Sequence, residues 1–332
     1  MTPETQTTQS ARPPKRKWRE DIHGIVIVDK PADITSFAAV KAVKNIFSAA
    51  KAGHTGTLDP FATGVLPICL NRATKIAGLV SGLVKEYKTV MRLGVSSDTY
   101  DRTGKVQDHG ITKFPAREEI DRAIQKYIGT ISQTPPLFSA IKVEGKPLYK
   151  LARKGESYDM EKKARFITIE RYEILSYEPP LLEVYIRAHK GTYVRSLAQD
   201  LGKDLGTGAL LDSLVRTRVG PFSIDDAYSL DELREIVKES RESEVLRKWE
   251  EVMDAIPEFA VSRADFLELS QGKIRTADAV EKAAPAPVTL PRGSLVRLTD
   301  RTGRGFVVAE CTPSEEGPQV PWLLKPLRAW SA

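Results

Sequence analysis

The 332-residue sequence lacks the features that mark secreted and membrane proteins. It has only two cysteines, Cys69 and Cys311, far apart in the chain, and no cysteine and histidine spacing typical of a zinc site. No apolar run approaches the roughly 18 residues that a membrane helix needs. The first twenty residues lack the apolar core of a secretory signal. These absences predict a cytoplasmic protein with reduced cysteines, no metal site and no membrane attachment.

The positive charge of the chain is modest and unevenly placed. Lys and Arg number 50 against 44 Asp and Glu, which gives a formal net charge of +6. Residues 1–20 hold five basic and two acidic side chains, and thus supply half of this excess. We therefore expect a flexible basic arm at 1–20 and a mildly basic body. Composition alone leaves nucleic-acid binding open.

The apolar patterns along the body indicate both strands and helices. They predict strands at 24–28, 87–93 and 182–187, helices at 36–49, 75–83, 117–128 and 192–205, one or two surface helices within 230–254, and a loop at 132–147. Because these elements mix without a strict alternation, an α+β fold is favoured over a doubly wound sheet.

The last part of the chain has a separate β pattern. Residues 294–299 and 305–311 alternate in polarity around Thr302-Gly303, which is typical of a β-hairpin. Residues 281–293 are rich in Ala and Pro and indicate a loop. We expect a small β-rich module at 257–332.

The densest set of chemically useful residues is Gly53–Gly64, which we expect to be a loop between two helices. It combines three glycines, three threonines, a histidine and Asp59. Glycines let the backbone approach a ligand closely, and Pro60 biases Asp59 away from helical geometry. Asp59 is therefore a candidate nucleophile presented from a stiff turn, although it could equally cap the next turn.

Two further segments are candidates for the same site. Arg195 follows Lys190-Gly191 at a strand-to-helix junction, where it could form a bidentate pair with Asp59 and keep it ionised. Tyr87 enters a strand between two lysines, where it could stack on a base. A surface arginine and a core tyrosine are the structural alternatives.

Taken together, these segments resemble the TruB family of pseudouridine synthases. The core Gly-His-Thr-Gly-x-Leu-Asp-Pro-x-Ala-Thr-Gly spans Gly53–Gly64, and other blocks agree in the same order across about 25–220. These blocks are Asp29-Lys30-Pro31, Lys85-x-Tyr87, Leu93-Gly94, the segment from Gln133 to Arg153, Lys190–Arg195 and Asp200-Leu201-Gly202. The chain departs from the family pattern at 33–38, at Phe138 and at Val215.

The resemblance implies a role for each of several side chains. Asp59 would be the nucleophile, Arg195 its partner, and Asp101 the carboxylate that holds Arg195. The further implied roles are stacking on the flipped uracil by Tyr87, replacement of the flipped base by His54, lining of the pocket by Tyr193 and Leu214, and RNA contacts from Lys142 and Arg153.

The resemblance also implies a fold and an activity. The fold would be a catalytic domain at 21–256, with a mixed, largely antiparallel central sheet, flanking helices and an RNA-gripping insertion at about 130–160. A PUA-like RNA-binding module would follow at 257–332. The activity would be isomerisation of the T-loop uridine at tRNA position 55 to pseudouridine, by a monomer without cofactor, metal or obligatory protein partner.

Other functions remain open at this stage. The same scaffold could belong to an RNA-guided enzyme that acts on ribosomal RNA, or to a non-catalytic RNA-folding protein. The presence of Asp59, Tyr87 and Arg195 favours catalysis. A hydrolase of small substrates would need a second acid–base group or metal ligands, which the sequence does not suggest.

Overall fold

The fold is known from a computed structural model. It describes residues 18–139, 142–143, 146–147, 160–276, 293–300, 305–312 and 323–331, of which 142–143, 146–147 and 331 are described by their backbone alone. Within these ranges no helix is both long and apolar enough to cross a membrane.

Strands and short helices alternate irregularly along the chain. The strands are β1 (Gly24–Lys30), β2 (Ala52–His54), β3 (Thr63–Leu70), β4 (Lys85–Leu93), β5 (Val95–Ser97), β6 (Val106–Asp108), β7 (Gly129–Gln133), β8 (Lys142–Val143), β9 (Lys146–Pro147), β10 (Arg165–Glu178), β11 (Leu181–Ala188), β12 (Ala209–Val219), β13 (Phe222–Ser223), β14 (Glu258–Val261), β15 (Arg275–Thr276), β16 (Leu295–Asp300), β17 (Gly305–Thr312) and β18 (Leu323–Ser331). The helices are α1 (Ser36–Ile46), α2 (Ala77–Gly82), α3 (Arg117–Gln125), α4 (Val194–Asp204), α5 (Leu230–Lys238), α6 (Glu250–Asp254) and α7 (Arg263–Ser270).

A central sheet of nine strands organises the larger part of the molecule. Its order is β1-β3-β12-β4-β11-β10-β7, with β2 paired to β3 and β13 paired to β12. Only the β3–β12 pair is parallel, and the other pairs are antiparallel. The expected α+β class with a mixed, largely antiparallel sheet is confirmed.

Strand β1 shows why helices cover both faces of this sheet. Side chains alternate across a strand, so Val26 and Val28 enter one apolar cluster with α1 and α5. Ile25 and Ile27 enter a second cluster with α2 and α6. All four are fully buried or nearly so, which explains why β1 is a continuous apolar run rather than an alternating one.

A second sheet of five strands forms the C-terminal part, in the order β14-β16-β17-β18-β15. The hairpin expected here is confirmed, because β16 pairs antiparallel with β17. This sheet has its own core, but Leu295 and Val308 belong to the α2 and α6 cluster of the larger part. Trp330 stacks on Trp249, with 6.5 Å between ring centroids. The two parts therefore pack against each other through apolar contacts.

Some local expectations were wrong. Gly53–Gly64 does not join two helices, since it overlaps the end of β2 and enters β3. The stretch 132–147 is not simply a loop, because it begins inside β7 and includes β8 and β9. Strand β3 is buried along most of its length, and such a short apolar run cannot be assigned by periodicity alone. A proline such as Pro67 is also unusual inside a strand.

Candidate active site

Asp59 and Arg195 form a bidentate ion pair beside the central sheet. Arg195 Nε donates to Asp59 Oδ2 at 2.8 Å, and Arg195 Nη2 donates to Asp59 Oδ1 at 2.9 Å. Arg195 belongs to the first turn of α4, and its side chain is only 5% exposed against 30% for that of Asp59. The carboxylate thus remains accessible while its cationic partner is buried behind it.

Two further hydrogen bonds and a second carboxylate hold Arg195. Arg195 Nη1 donates to the carbonyl oxygen of Thr99 at 2.9 Å, and Nη2 donates to that of Phe138 at 2.9 Å. Asp101 Oδ2 lies 3.6 Å from Nη1. Asp101 is itself held by Thr103, whose amide and hydroxyl donate to Oδ1 at 2.9 and 2.6 Å. This network restricts the guanidinium to one orientation.

The electrostatics of Asp59 reflect opposing influences. Burial raises the pKa of the Asp59 carboxyl above its ordinary value, and the adjacent charge of Arg195 opposes that rise. The second carboxylate, Asp101, raises the pKa further, whereas Lys30 lowers it. Arginine stays charged at any ordinary pH, so removing Arg195 would leave only Lys30 to oppose the effect of burial on the pKa of Asp59.

Lys30, at the end of β1, supports the turn that carries Asp59. Its ammonium group is fully buried and donates to the carbonyl oxygens of Pro31, Ile34 and Pro60 at 2.7, 2.9 and 3.0 Å. Burial lowers the pKa of Lys30 to about 8. The amine therefore ties the segment after β1 to the residue that follows Asp59.

The floor of the site comes from β4 and β12. Tyr87 is buried on β4, and Leu214 is buried on β12. Arg216, which is opposite Tyr87 in the register, donates to the carbonyl oxygens of Val65 and Gly56 at 2.7 and 3.1 Å. Burial raises the pKa of Tyr87, so its phenol stays neutral at pH 7.

His54 and Tyr193 stand on two other sides of the site. His54 ends β2, and its Nδ1 accepts a hydrogen bond from the Gly56 amide at 3.3 Å. Burial lowers the pKa of His54, which favours a neutral ring at pH 7. The Gln133 side chain donates to the carbonyl oxygen of Tyr193 and accepts from its amide. The guanidinium of Arg165 lies 4.9 Å from the ring centroid of Tyr193.

A cavity of about 950 Å³ opens beside Asp59. The predicted site residues that the structure brings together in it are Asp59, Arg195, Tyr87, Asp101, His54, Tyr193 and Leu214. Lys142 is described by its backbone alone, and Arg153 lies outside the described residues. Within the part of the chain that the structure describes, no cluster of histidine, cysteine and carboxylate side chains could hold a metal.

Three buried cations of this site were not predicted from the sequence. Lys30, Lys85 and Arg216 are each at most 5% exposed. Burial lowers the pKa of Lys85 to about 7, and its ammonium donates to the carbonyl oxygens of Ser81 and Leu83. The only sequence signal is a basic residue at the edge of, or inside, an apolar strand, which is also common on surfaces.

Comparison with solved structures identifies the fold class of the chain. It superimposes with a TM-score of 0.59 and 22% identity on a structure described as a Cbf5-Nop10-Gar1 complex, covering 97% of this chain and 92% of that one. A second structure, described as an H/ACA RNP bound to a substrate RNA containing 2′-deoxyuridine, gives a TM-score of 0.57 and 21% identity. The match covers 93% of this chain and 85% of that one. These likenesses establish the pseudouridine synthase fold.

Sequence comparison is more specific. Residues 44–194 match the model of the TruB family pseudouridylate synthase N-terminal domain, and 195–255 match that of the tRNA pseudouridylate synthase B C-terminal domain. The tRNA pseudouridine synthase B of Pseudomonas aeruginosa (strain UCBPP-PA14) is 43% identical over 67% of this chain and 72% of its own. The tRNA pseudouridine synthase B of Francisella tularensis subsp. novicida (strain U112) is 42% identical over 68% of this chain and 74% of its own. The chain belongs to the TruB family of pseudouridylate synthases.

Proposed function

We propose that this protein is a tRNA pseudouridine synthase that isomerises the T-loop uridine at position 55, with Asp59 as its nucleophile. The observation that carries the proposal is the bidentate ion pair between Arg195 and Asp59. It presents an accessible carboxylate to a cavity large enough for a nucleotide. The similar enzymes of Pseudomonas and Francisella are tRNA pseudouridine synthases by name, which supports tRNA as the substrate class.

The reaction breaks the bond between ribose C1′ and base N1, turns the base, and joins C1′ to C5. The proton on C5 leaves to solvent and N1 gains one, so atoms balance without a redox step or net hydrolysis, and no cofactor is required. An ionised carboxylate can attack C6 or C1′, or stabilise a glycal route. All three routes need Asp59 held next to the sugar, and the bidentate pair with Arg195 holds it in place.

The cavity walls suit a uridine that has left the RNA stack. Flipping costs a few kcal/mol, and stacking on Tyr87 returns about 1–3 kcal/mol. Leu214 and Tyr193 enclose the freed uracil and exclude water during its rotation. The neutral ring of His54 at the cavity wall fills the space that the uridine leaves in the RNA loop.

The rest of the chain would hold the tRNA. We assign the catalytic domain to 21–256 and RNA-binding roles to the arm 1–20, to the insertion at about 130–160 with Lys142 and Arg153, and to a PUA-like module at 257–332. Basic groups in these segments would contact phosphates, which makes affinity depend on salt. With tRNA as sole partner, the enzyme would act as a cytoplasmic monomer.

The decisive experiment uses an unmodified T-stem-loop RNA labelled with tritium at uridine C5. Wild-type protein should release tritium, and replacing the target uridine by cytidine should prevent release. Asp59→Asn, which keeps the size of the side chain, should abolish release while RNA binding stays within a few-fold. Tight binding of the wild-type protein without release would instead favour the RNA-guided or non-catalytic alternatives. Activity that survives in Asp59→Asn would exclude Asp59 as nucleophile.

A further inference from the structure

Phe37 is an exposed aromatic side chain at the mouth of the active-site cavity. At 72% it is the most exposed large apolar residue in the described part of the chain. Among the exposed large apolar residues there, it alone lines the cavity that contains Asp59. Its ring joins none of the three core clusters of the described residues. The ring therefore contributes little to the fold, and it lies in the region where a ligand would arrive.

The first turn of α1, which carries Phe37, is held against the catalytic turn. Thr35 caps the helix by accepting a hydrogen bond from the Ala38 amide at 3.0 Å. Ser36 Oγ donates to the carbonyl oxygen of Leu58 at 2.9 Å and accepts from the Leu58 amide at 2.8 Å. The residue before Phe37 is thus bonded twice to the residue before Asp59.

A second set of bonds joins the same two segments. Lys30 Nζ donates to the carbonyl oxygens of Ile34 and Pro60, and the Asp33 amide donates to Pro60 at 2.8 Å. The chain that leads into α1 and the turn that presents Asp59 are therefore held as one unit. The backbone position that carries Phe37 is therefore constant with respect to the nucleophile.

We propose that Phe37 is a platform on which one unpaired RNA base next to the target uridine stacks. This inference rests on the proposed function. Unpaired bases in RNA loops are commonly bound by stacking on aromatic side chains. An unpaired neighbour of the target uridine has no base-pairing partner to hold it, and the exposed ring of Phe37 gives it a surface on which to stack. Lys41 is also exposed, one helical turn further on the same face, where it can contact the adjoining phosphate.

Equilibrium binding and single-turnover tritium release on the T-stem-loop RNA test the platform. Phe37→Ala should weaken Kd about tenfold, within the range measured for loss of one stacked base, and should affect the rate at saturating RNA much less. Phe37→Tyr should restore binding, whereas Phe37→Leu, which is apolar but not aromatic, should not. The matched control is Leu181→Ala, which truncates an exposed side chain of β11 outside the cavity. Wild-type affinity in Phe37→Leu would overturn stacking.

A base-deletion scan identifies the partner. Each loop nucleotide other than the target is replaced in turn by an abasic one, and Kd is measured with wild-type protein and with Phe37→Ala. At one position the wild-type Kd should weaken to that of Phe37→Ala, while the variant should be insensitive to the same deletion. Absence of such coupling at every position would overturn the proposal. Absence of tritium release by the wild-type protein would instead overturn the proposed function, so the two failures are distinguishable.

Discussion

Arg195 holds both carboxylate oxygens of Asp59 across 136 residues of sequence. Bidentate geometry fixes the plane of a carboxylate as well as its position. Arg195 is buried and Asp59 only partly so, and the pair therefore presents its anionic end to the cavity. This relationship decides which substitutions should affect chemistry rather than RNA binding.

Arg195→Lys should keep the positive charge but lose the bidentate hydrogen bonding to Asp59. A lysine ammonium cannot reproduce two parallel hydrogen bonds, so we expect single-turnover rates to fall at least about a hundredfold, with RNA affinity within a few-fold. Because burial already raises the pKa of Asp59, weaker pairing should move the acidic limb of the rate profile to higher pH. Rates measured between pH 5.5 and 8.5 test this. Arg218→Lys, at an exposed arginine of β12, is the control, and an unchanged profile in Arg195→Lys would contradict the assignment.

Gly64→Ala should destabilise the protein strongly. Gly64 has a φ of +98°, and an added Cβ would lie 2.3 Å from the carbonyl oxygen of Arg216 on the parallel strand β12. Such a contact requires a backbone shift, so we expect the free energy of unfolding to fall by about 2–4 kcal/mol. Gly56→Ala is the matched control, since its Cβ would meet Arg216 Nη1 at an ordinary 3.5 Å. Equal urea midpoints for both variants would refute this account.

The buried Lys30 should make stability depend on alkaline pH. Its pKa falls from 10.5 to about 8 in the folded state, so between these values the unfolded chain binds more protons and stability rises with pH. This contribution is absent in Lys30→Met. The stability of wild type relative to Lys30→Met should therefore grow by up to about 3 kcal/mol between pH 7 and 10.5.

Urea unfolding of both proteins at three pH values measures that difference. Lys51→Met, at an exposed lysine, should show no such growth. A constant difference between wild type and Lys30→Met would mean that Lys30 keeps an ordinary pKa.

An ion pair links the loop that precedes α4 to the C-terminal sheet. Lys190 Nζ lies 2.6 Å from Glu310 Oε2, with the lysine side chain 40% and the glutamate side chain 15% exposed. Ion pairs that solvent reaches contribute little, so a double-mutant cycle with Lys190→Ala and Glu310→Ala should give a coupling energy below about 1 kcal/mol. High salt should reduce it further. A coupling that salt leaves unchanged would indicate a role beyond charge pairing.

Much of the local structure was predictable because it depends on neighbouring residues. Apolar spacing predicted α1, although it ends at Ile46 rather than residue 49. The alternation of 305–311 predicted β17. Strand β3 was not predicted because α1, α2 and neighbouring elements cover both of its faces. A strand buried on both faces lacks the alternating pattern by which a single segment can be recognised.

The sequence by itself determined the chemical inventory of the site: the signature around Asp59, the Lys190–Arg195 segment, and the family that both resemble. Only the tertiary structure decided the geometry, because it depends on contacts between distant residues. The bidentate pair at Asp59, the burial of Lys30 and Arg216, and the bond from Ser36 to the catalytic turn all involve separate elements. A buried cation differs from a surface cation only in its surroundings, and those exist only after folding.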